Sequence, residues 1–410
     1  MLCWLNIGIA IAAAVGIAFV PAFSLWFLVV LILNLLLPLC RCCTCSKSAL
    51  TVSRTLVGAL FVFSSFMKGV DPLGTKYKIL DYLAAYNLQW FNEIALILAV
   101  VLILAEFVVG FCLLTNVFPR LAVLGATVLM LFFTLTTLFD ALYNIVPDCG
   151  CFGTAIKMSN WQTFYKNLVI DVPLLLLVLN NRQLKNRLTW RGQFFLGFLY
   201  AVLFLCFEIY NYRHLPVLDF MEWKVGKQMI QETQGEQRIY LTYRNKASGA
   251  TQEFLSPDYP WDDSVWMSQW EFVDQRTEGD ADVLGFSALD EYGNDVTEML
   301  LGTEHLLVFT AHDMSKITEK EWGKIAAITD AADRHGYYVV WVTASNPDYV
   351  ARLRREHPYL YEVYYGDALE IKTIVRFNPG LILLDKGLVI DKWSAIDFPQ
   401  GKKLEKLFLN

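Results

Sequence analysis

The sequence predicts a polytopic α-helical membrane bundle followed by a small soluble α/β domain, and three observations carry that expectation. Of the 410 residues, 55 % are hydrophobic, more than one soluble globule carries. The charge is unevenly spread: Met1 to Leu215 holds 14 Lys and Arg against 8 Asp and Glu, net +6, whereas Pro216 to Asn410 holds 20 against 32, net −12. All nine cysteines (Cys3, Cys40, Cys42, Cys43, Cys45, Cys112, Cys149, Cys151, Cys206) lie in the first part. That distribution excludes a secreted disulfide scaffold. The acidic second half repels polyanions, so neither nucleic acid nor an anionic lipid surface is an expected partner for it.

Taken in order, Leu5 to Leu39 is almost continuously apolar, longer than the ~20 residues one span requires, with Pro21 in its middle. It reads as a tight hairpin of two short spans or as one kinked span. No basic residue precedes Arg41, so the run is read as retained membrane helix rather than a cleavable leader. CRCCTCSK at Cys40 to Lys47 is basic and thiol-rich. Zinc sites usually draw their ligands from two separated halves, so these are read as reduced thiols in a cytosolic loop.

Thr51 to Val70 forms the next span, stopped by Asp71, Pro72 and Gly74. From Tyr77 to Trp90, Ile79, Tyr82, Leu83 and Tyr86 recur at helical spacing, the pattern of a helix lying at the interface. Glu93 to Leu114 and Leu121 to Ile145 cross again and carry Glu106 and Asp140, and Trp161 to Leu179 carries Asp171. Asn181 to Arg191 holds four basic residues and no acid, which marks the cytoplasmic side. Phe194 to Tyr210 then delivers the remaining chain to the extracytoplasmic face. The same count puts Arg41, Arg54 and Arg120 inside, and the loop DCGCFG at Asp148 to Gly153 outside with the soluble half.

Beyond Pro216, Arg238 to Tyr243 alternates as a strand does, and Trp261 to Trp270 is rich in tryptophan. Leu306 to Phe309 reads as a buried strand, Thr318 to His335 as an amphipathic helix and Tyr337 to Val342 as the next strand. Asp348 to Glu356 follows as a helix, and Leu381 to Leu384 with Val389 to Trp393 as a hairpin closed at Lys386 and Gly387. This order indicates a small α/β layer fold.

The chemistry centres on Cys149 and Cys151. A disulfide persists on the oxidising side of a membrane, and one spanning a single residue closes a small ring whose strain makes it a better oxidant. Gly150 gives the backbone freedom to close it. The adjacent Asp148 opposes a thiolate, and the alternative is a static loop of packed or permanently bonded sulfurs. Charges inside spans cost a few kcal/mol each and face a cavity or one another. Glu106 and Asp140 fit that rule, with Lys68 expected to reach down and pair with one of them. They form either a polar pocket able to receive a quinone head group, with a carboxylate relaying the proton, or an ion pair that fixes packing. Glu93, Asp171 and Glu208 lie nearer helix ends and are expected to be solvated. The histidines His214, His305, His312, His335 and His357 lack metal spacing, so no metal is expected.

Two resemblances accompany these readings. VSRTLVGALFVFSSFMKGVDPLGTKYKILDYL, PDCGCFG and SNWQTFYKN resemble the first span, cysteine loop and fourth span of the DoxX/MauE-like membrane family, covering residues 51–180. The resemblance implies a four-helix bundle and, for MauE-like proteins, disulfide formation in a periplasmic partner. GFSALDEYGNDVTEMLLGTEHLLVFT and RFNPGLILLDKG resemble extracytoplasmic thioredoxin-like domains, the second bearing the proline that is usually cis, here Pro379. The departure from that family is AHDMSK at Ala311 to Lys316, where its Cys-x-x-Cys would stand. A domain without those thiols cannot exchange disulfides, which leaves a binding groove around Pro379, Asn378 and His312.

The expected organisation is therefore an N-terminal hairpin and cysteine-rich loop (1–47), the four-helix domain (51–180), the basic loop and last span (181–212), a β-rich lead-in (215–283) and a thioredoxin-like domain (284–410). The expected protein sits in the bacterial inner membrane with its C-terminal domain in the periplasm, and acts as a thiol/disulfide redox protein through Cys149, Cys151, Glu106, Asp140 and Lys68, with a periplasmic protein partner and a membrane quinone. The alternative is a non-catalytic scaffold that docks envelope proteins.

Overall fold

The computed structural model describes residues 47–146, 153, 158–186, 188–230, 238–246, 249, 251–255, 260, 264–278 and 286–408. The N-terminal hairpin, the Cys40 to Cys45 cluster, Cys149 and Cys151 lie outside the described residues. The chain divides into two compact units that meet in sequence at Met221 and Glu222.

The first unit is helical. Helix α1 (Lys47–Val70) is followed by α2 (Pro72–Ala85), a short 3-10 turn (Gln89–Ile94), α3 (Ala95–Thr115), α4 (Pro119–Tyr143), α5 (Asn160–Leu179) and α6 (Trp190–Arg213). Counting the turn before α3 with that helix, five of these are long and apolar enough to cross a membrane. The local chemistry sets their ends. Asp71 caps α2 by accepting from the Gly74 amide, with Pro72 in the first turn, where a missing N–H costs nothing. Ser159 and Gln162 close a capping box on α5. The interface helix starts and stops earlier than its hydrophobic spacing implies, because the Asp71-Pro72 start outweighs periodicity and Asn87 turns the chain at φ 57°.

Helices α1 and α3 come into close backbone contact at two glycines. A Cβ on Gly58 would fall 2.8 Å from the Gly110 carbonyl oxygen, and one on Gly110 would fall 2.7 Å from the Phe61 Cβ. In lipid, helix association rests on this kind of backbone contact rather than on hydrophobicity. Arg54 closes one end of the same interface, its guanidinium donating to the carbonyl of Leu113 and, at 3.3 Å, to that of Leu114. Those carbonyls belong to the last turn of α3, which has no helical donors left for them.

Among the described residues the second unit contains two sheets. β1 (Arg238–Asn245), β2 (Thr251–Leu255) and β3 (Trp270–Glu278) form an antiparallel sheet ordered β2-β1-β3, with α7 (Ser264–Gln269) preceding β3. Trp266 of α7 stacks on Trp270 and meets Tyr243 and Phe254 edge-on, so tryptophans of this region serve as a local apolar core. The rest of this unit runs α8 (Thr297–Gly302), β4 (Leu306–Ala311), α9 (Glu319–His335), β5 (Tyr338–Thr343), α10 (Pro347–Glu356), β6 (Glu362–Tyr365), α11 (Ala368–Ile374), β7 (Gly380–Asp385), β8 (Leu388–Ser394) and α12 (Lys402–Leu407).

Its sheet is mixed and ordered β6-β5-β4-β7-β8. β4 is parallel to β5 and antiparallel to β7, with Phe309 opposite both Trp341 and Leu381. Phe309, Trp322 and Trp341 fill the core with Ile325, Leu381 and Phe398. Burying side chains of this size stabilises by roughly 1.5–3 kcal/mol each. The helix expected at Thr318 to His335 forms with Thr318 as its N-cap, Glu321 completing the capping box and Gly336 closing it at φ 75°. β6 and α11, absent from the expected order, fill the interval between α10 and β7.

Because neither glycine can accept a side chain without moving backbone, Gly58→Val and Gly110→Val should each destabilise the bundle by about 1–3 kcal/mol through overpacking. Unfolding in detergent, followed by the loss of helical circular dichroism, would register this as a lowered midpoint. Gly197→Val, where a Cβ meets nothing within 4 Å, should leave it nearly unchanged.

Candidate functional site

The membrane unit holds a buried polar centre built by four helices. Lys68, near the end of α1, donates to both carboxylate oxygens of Glu106 in α3, at 3.0 Å and 2.8 Å. The two side chains are only 7 % and 4 % exposed. Ser64, one turn below Lys68, adds a 3.4 Å hydrogen bond to the same carboxylate, and the ammonium lies 4.9 Å from the centre of the Phe133 ring of α4. The expected partner of Lys68 is therefore Glu106 rather than Asp140. Asn167 of α5 borders the same cavity of about 30 Å³ with Ser64, Lys68 and Glu106. That volume admits water and is far below the ~300 Å³ at which small-molecule pockets begin, so no ring fits at the ion pair itself.

Asp140 belongs to an adjoining network. Its Oδ2 accepts from the Tyr82 hydroxyl of α2 at 2.5 Å. Asn160, the first residue of α5, donates to the backbone carbonyl of Asp140 at 3.3 Å, to the Asn144 side chain at 3.0 Å and to the Val146 carbonyl at 3.0 Å. One amide thereby ties the end of α4 to the start of α5. Farther along, Asn167 donates to Thr137 at 3.1 Å and Thr134 donates to Asp171 at 2.9 Å.

These contacts locate the ends of the cysteine loop. Val146 precedes the loop and is held by Asn160. Gly153 follows Cys151 and adopts φ 58°; a Cβ there would fall 3.1 Å from the Met67 carbonyl oxygen and 3.9 Å from the Lys68 Cα. Only a glycine combines that backbone conformation with that approach. The two ends of the loop thus rest on the Asp140 network and on the residue pair Met67-Lys68.

Two of the three acids expected to be solvated are not. Glu208 of α6 is fully buried, and neither carboxylate oxygen has a hydrogen-bond partner among the described residues. It sits one turn from Phe204, which stacks on Phe107 of α3, so helix packing rather than sequence position decides its burial. Asp171 is half-buried and bonded to Thr134, whereas Glu93 is exposed as expected. Sequence reading also missed Tyr82, Ser64, Asn160 and Asn167 as members of the site. A signal existed for α5: Asn160, Thr163, Asn167 and Asp171 recur at helical spacing, a polar stripe along an otherwise apolar span.

In the second unit, the positions singled out near Pro379 form a closed hydrogen-bonded corner. The Asn378-Pro379 peptide is cis. Asn378 accepts from the Asp313 amide at 3.0 Å and donates to the Asp313 carbonyl at 2.7 Å, and Met314 donates its amide to Ser345 at 2.8 Å. The Asp313 carboxylate accepts from Ser315 and pairs with Lys316 at 3.0 Å. Burial pushes its pKa up, but the bonds from Ser315 and Lys316 outweigh burial and hold it below the ordinary carboxylate value. His312 is half-buried beside this corner, at the end of β4.

These features define a multi-pass helical membrane protein with a buried polar centre, followed in the chain by a unit that holds an antiparallel and a mixed sheet. Residues 46–180, about a third of the chain, match the family model described as methylamine utilisation protein MauE, so the chain carries a MauE-family domain there. No curated protein and no solved structure matches the chain.

The ion pair yields a direct energetic test. Removing one partner leaves an uncompensated charge in a low-dielectric interior, which costs about 3–5 kcal/mol, whereas replacing both by apolar groups is near neutral. Lys68→Met and Glu106→Leu should each lower stability by that amount in detergent unfolding. The double variant should recover most of the loss, giving a coupling energy well above the ~0–1 kcal/mol of an exposed pair.

Proposed function

We propose that this chain is a membrane-embedded thiol/disulfide redox protein of the bacterial envelope, in which Cys149 and Cys151 cycle between dithiol and disulfide. The observation that carries the reading is the anchorage of the loop. Val146 is held by Asn160 and Gly153 rests on Met67-Lys68, so the chain is fixed on both sides of the segment that carries the pair. The basic run at Asn181 to Arg191 supports an extracytoplasmic loop, where a disulfide persists.

The electron balance is simple. A partner dithiol attacks the Cys149–Cys151 disulfide, a mixed disulfide forms, and the partner leaves oxidised while both cysteines become thiols. Re-forming the disulfide releases two electrons and two protons, which a lipid-soluble quinone would take up, becoming a quinol. The chain's own residues handle the protons: Glu106 and Lys68, reached by a water-sized cavity, hold and pass them below the loop.

The second unit is read as a thioredoxin-like positioning module. The mixed sheet with β4 at its centre and the closed Asp313–Asn378 corner support this. Its lack of cysteine confines thiol chemistry on that side of the membrane to Cys149 and Cys151. The same lack of thiols favours the second reading, a scaffold whose C-terminal unit only docks envelope proteins.

The two readings separate in a redox titration of the purified full chain in glutathione buffers, with maleimide trapping read on the peptide that carries both cysteines. The redox reading expects one two-electron transition in the wild type, absent from Cys149→Ser and Cys151→Ser, and loss of partner oxidation in both variants. Two cysteines that alkylate as thiols across the whole range, or undiminished partner oxidation by the variants, would leave only the scaffold.

A further inference from the structure

A groove of about 800 Å³ in the second unit breaks the acidic character of that half of the chain. Pro216 to Asn410 carries a net charge of −12, yet the groove lining holds four lysines against two aspartates. Helix α9 contributes Lys320 and Lys324, and α12 contributes Lys403 and Lys406. Those spacings put the members of each pair on one helix face, where like charges oppose the helix that carries them. Two rows of cations thus line one opening.

Most of that charge is left without a counter-charge. Lys324 serves the fold, its ammonium donating to the carbonyls of Ala395 at 2.8 Å and Ile396 at 3.2 Å, which ties α9 to the turn after β8. Lys320, Lys403 and Lys406 are exposed and make no hydrogen bond or ion pair among the described residues. The two acids are engaged: Asp397 accepts from the Ser394 hydroxyl at 2.9 Å, and Asp391 from the Lys392 amide at 2.8 Å. Apolar side chains make up much of the remaining lining, with Trp393 and Leu407 half-buried and Ile396 52 % exposed.

We infer that this groove docks a short acidic segment of a partner protein, in which an apolar residue is flanked by Asp or Glu. Three features select that occupant. Cations contributed by two helices call for several anionic groups, which the single carboxylate of a fatty acid does not supply. Trp393, Ile396 and Leu407 offer nothing to phosphate or another hydrophilic anion, whereas an apolar anchor in a pocket is what stabilises protein docking. A membrane surface or a nucleic acid is an extended polyanion that must approach the whole acidic unit and is repelled by it. A short segment enters the groove and feels mainly the lysines within a Debye length of ~8 Å. The inference goes beyond the thiol/disulfide reading and does not depend on it.

The test uses the full chain in nanodiscs of zwitterionic lipid and a fluorescein-labelled peptide whose central tryptophan is flanked by glutamates, read by fluorescence anisotropy. Saturable binding is expected, weakening as salt is raised. Lys403→Glu/Lys406→Glu should weaken it by about tenfold or more, and Ile396→Ser by a smaller factor. Arg352→Glu/Arg355→Glu, the same change of charge placed on α10, should leave affinity within about twofold. A peptide with lysines in place of the glutamates should bind Lys403→Glu/Lys406→Glu better than wild type, which an unfolded variant would not do. Cys149→Ser/Cys151→Ser should bind the acidic peptide as wild type does, so failure of the redox reading shows in the cysteine titration and not here. Unchanged affinity in the lysine variant, an equal loss in the α10 variant, or equal binding of a peptide with glutamines for glutamates would overturn the inference. Capture of phosphatidylglycerol vesicles that depends on Lys403 and Lys406, without binding of the peptide, would overturn it in favour of a lipid surface.

Discussion

The buried pair of Lys68 and Glu106 constrains the membrane unit more than any other contact. An isolated ion in a bilayer interior costs several kcal/mol even after relaxation, so each partner obliges the other to stay within hydrogen-bond reach. That obligation fixes the end of α1 against the middle of α3. The glycine contact at Gly58 and Gly110 makes the geometry attainable, because α1 and α3 must lie close enough for Lys68 to span the gap. Ser64 and the Phe133 ring then satisfy part of what the pair leaves over.

The rest of the site is arranged around that fixed point. The backbone of Met67 and Lys68 receives Gly153, so the ion-pairing residue also carries one end of the cysteine loop. The other end depends on Asn160, whose amide meets three acceptors at once. The donors of this network are engaged, while the Asn160 Oδ1 is buried with no hydrogen-bond partner among the described residues. A cavity of about 30 Å³ beside the ion pair has room for water.

Much of this was legible in the sequence, for definite physical reasons. Hydropathy gave the five described spans to within a few residues, since a continuous apolar run has no other stable arrangement in a membrane. The order β4, α9, β5, α10 and the β7-β8 hairpin followed from periodicity and the Lys386-Gly387 turn. The pairing of Lys68 with an intramembrane acid followed from the cost of burying either alone. The identity of the acid did not, because Glu106 and Asp140 are equally plausible until the α1–α3 contact is known. Glu208 was misjudged since its position near a helix end suggested solvent, while packing against α3 buried it. β6 was missed because EVYY at Glu362 to Tyr365 is a four-residue strand, too short for alternation to stand out, and its parallel pairing with β5 is a long-range fact. Tyr82 was visible as part of an amphipathic face, but its hydroxyl contact to Asp140 spans 58 residues of sequence.

The central claim is that Cys149 and Cys151 exchange electrons on the extracytoplasmic side. The most direct measurement is differential alkylation in intact cells, first with a membrane-impermeant maleimide and then, after acid quenching and reduction, with a second label of different mass. The account predicts that part of the population carries the second label at both cysteines and that a partner remains covalently attached until reductant is added. Cysteines that react only with a permeant thiol reagent, or that remain fully reduced at every stage of growth, would contradict it.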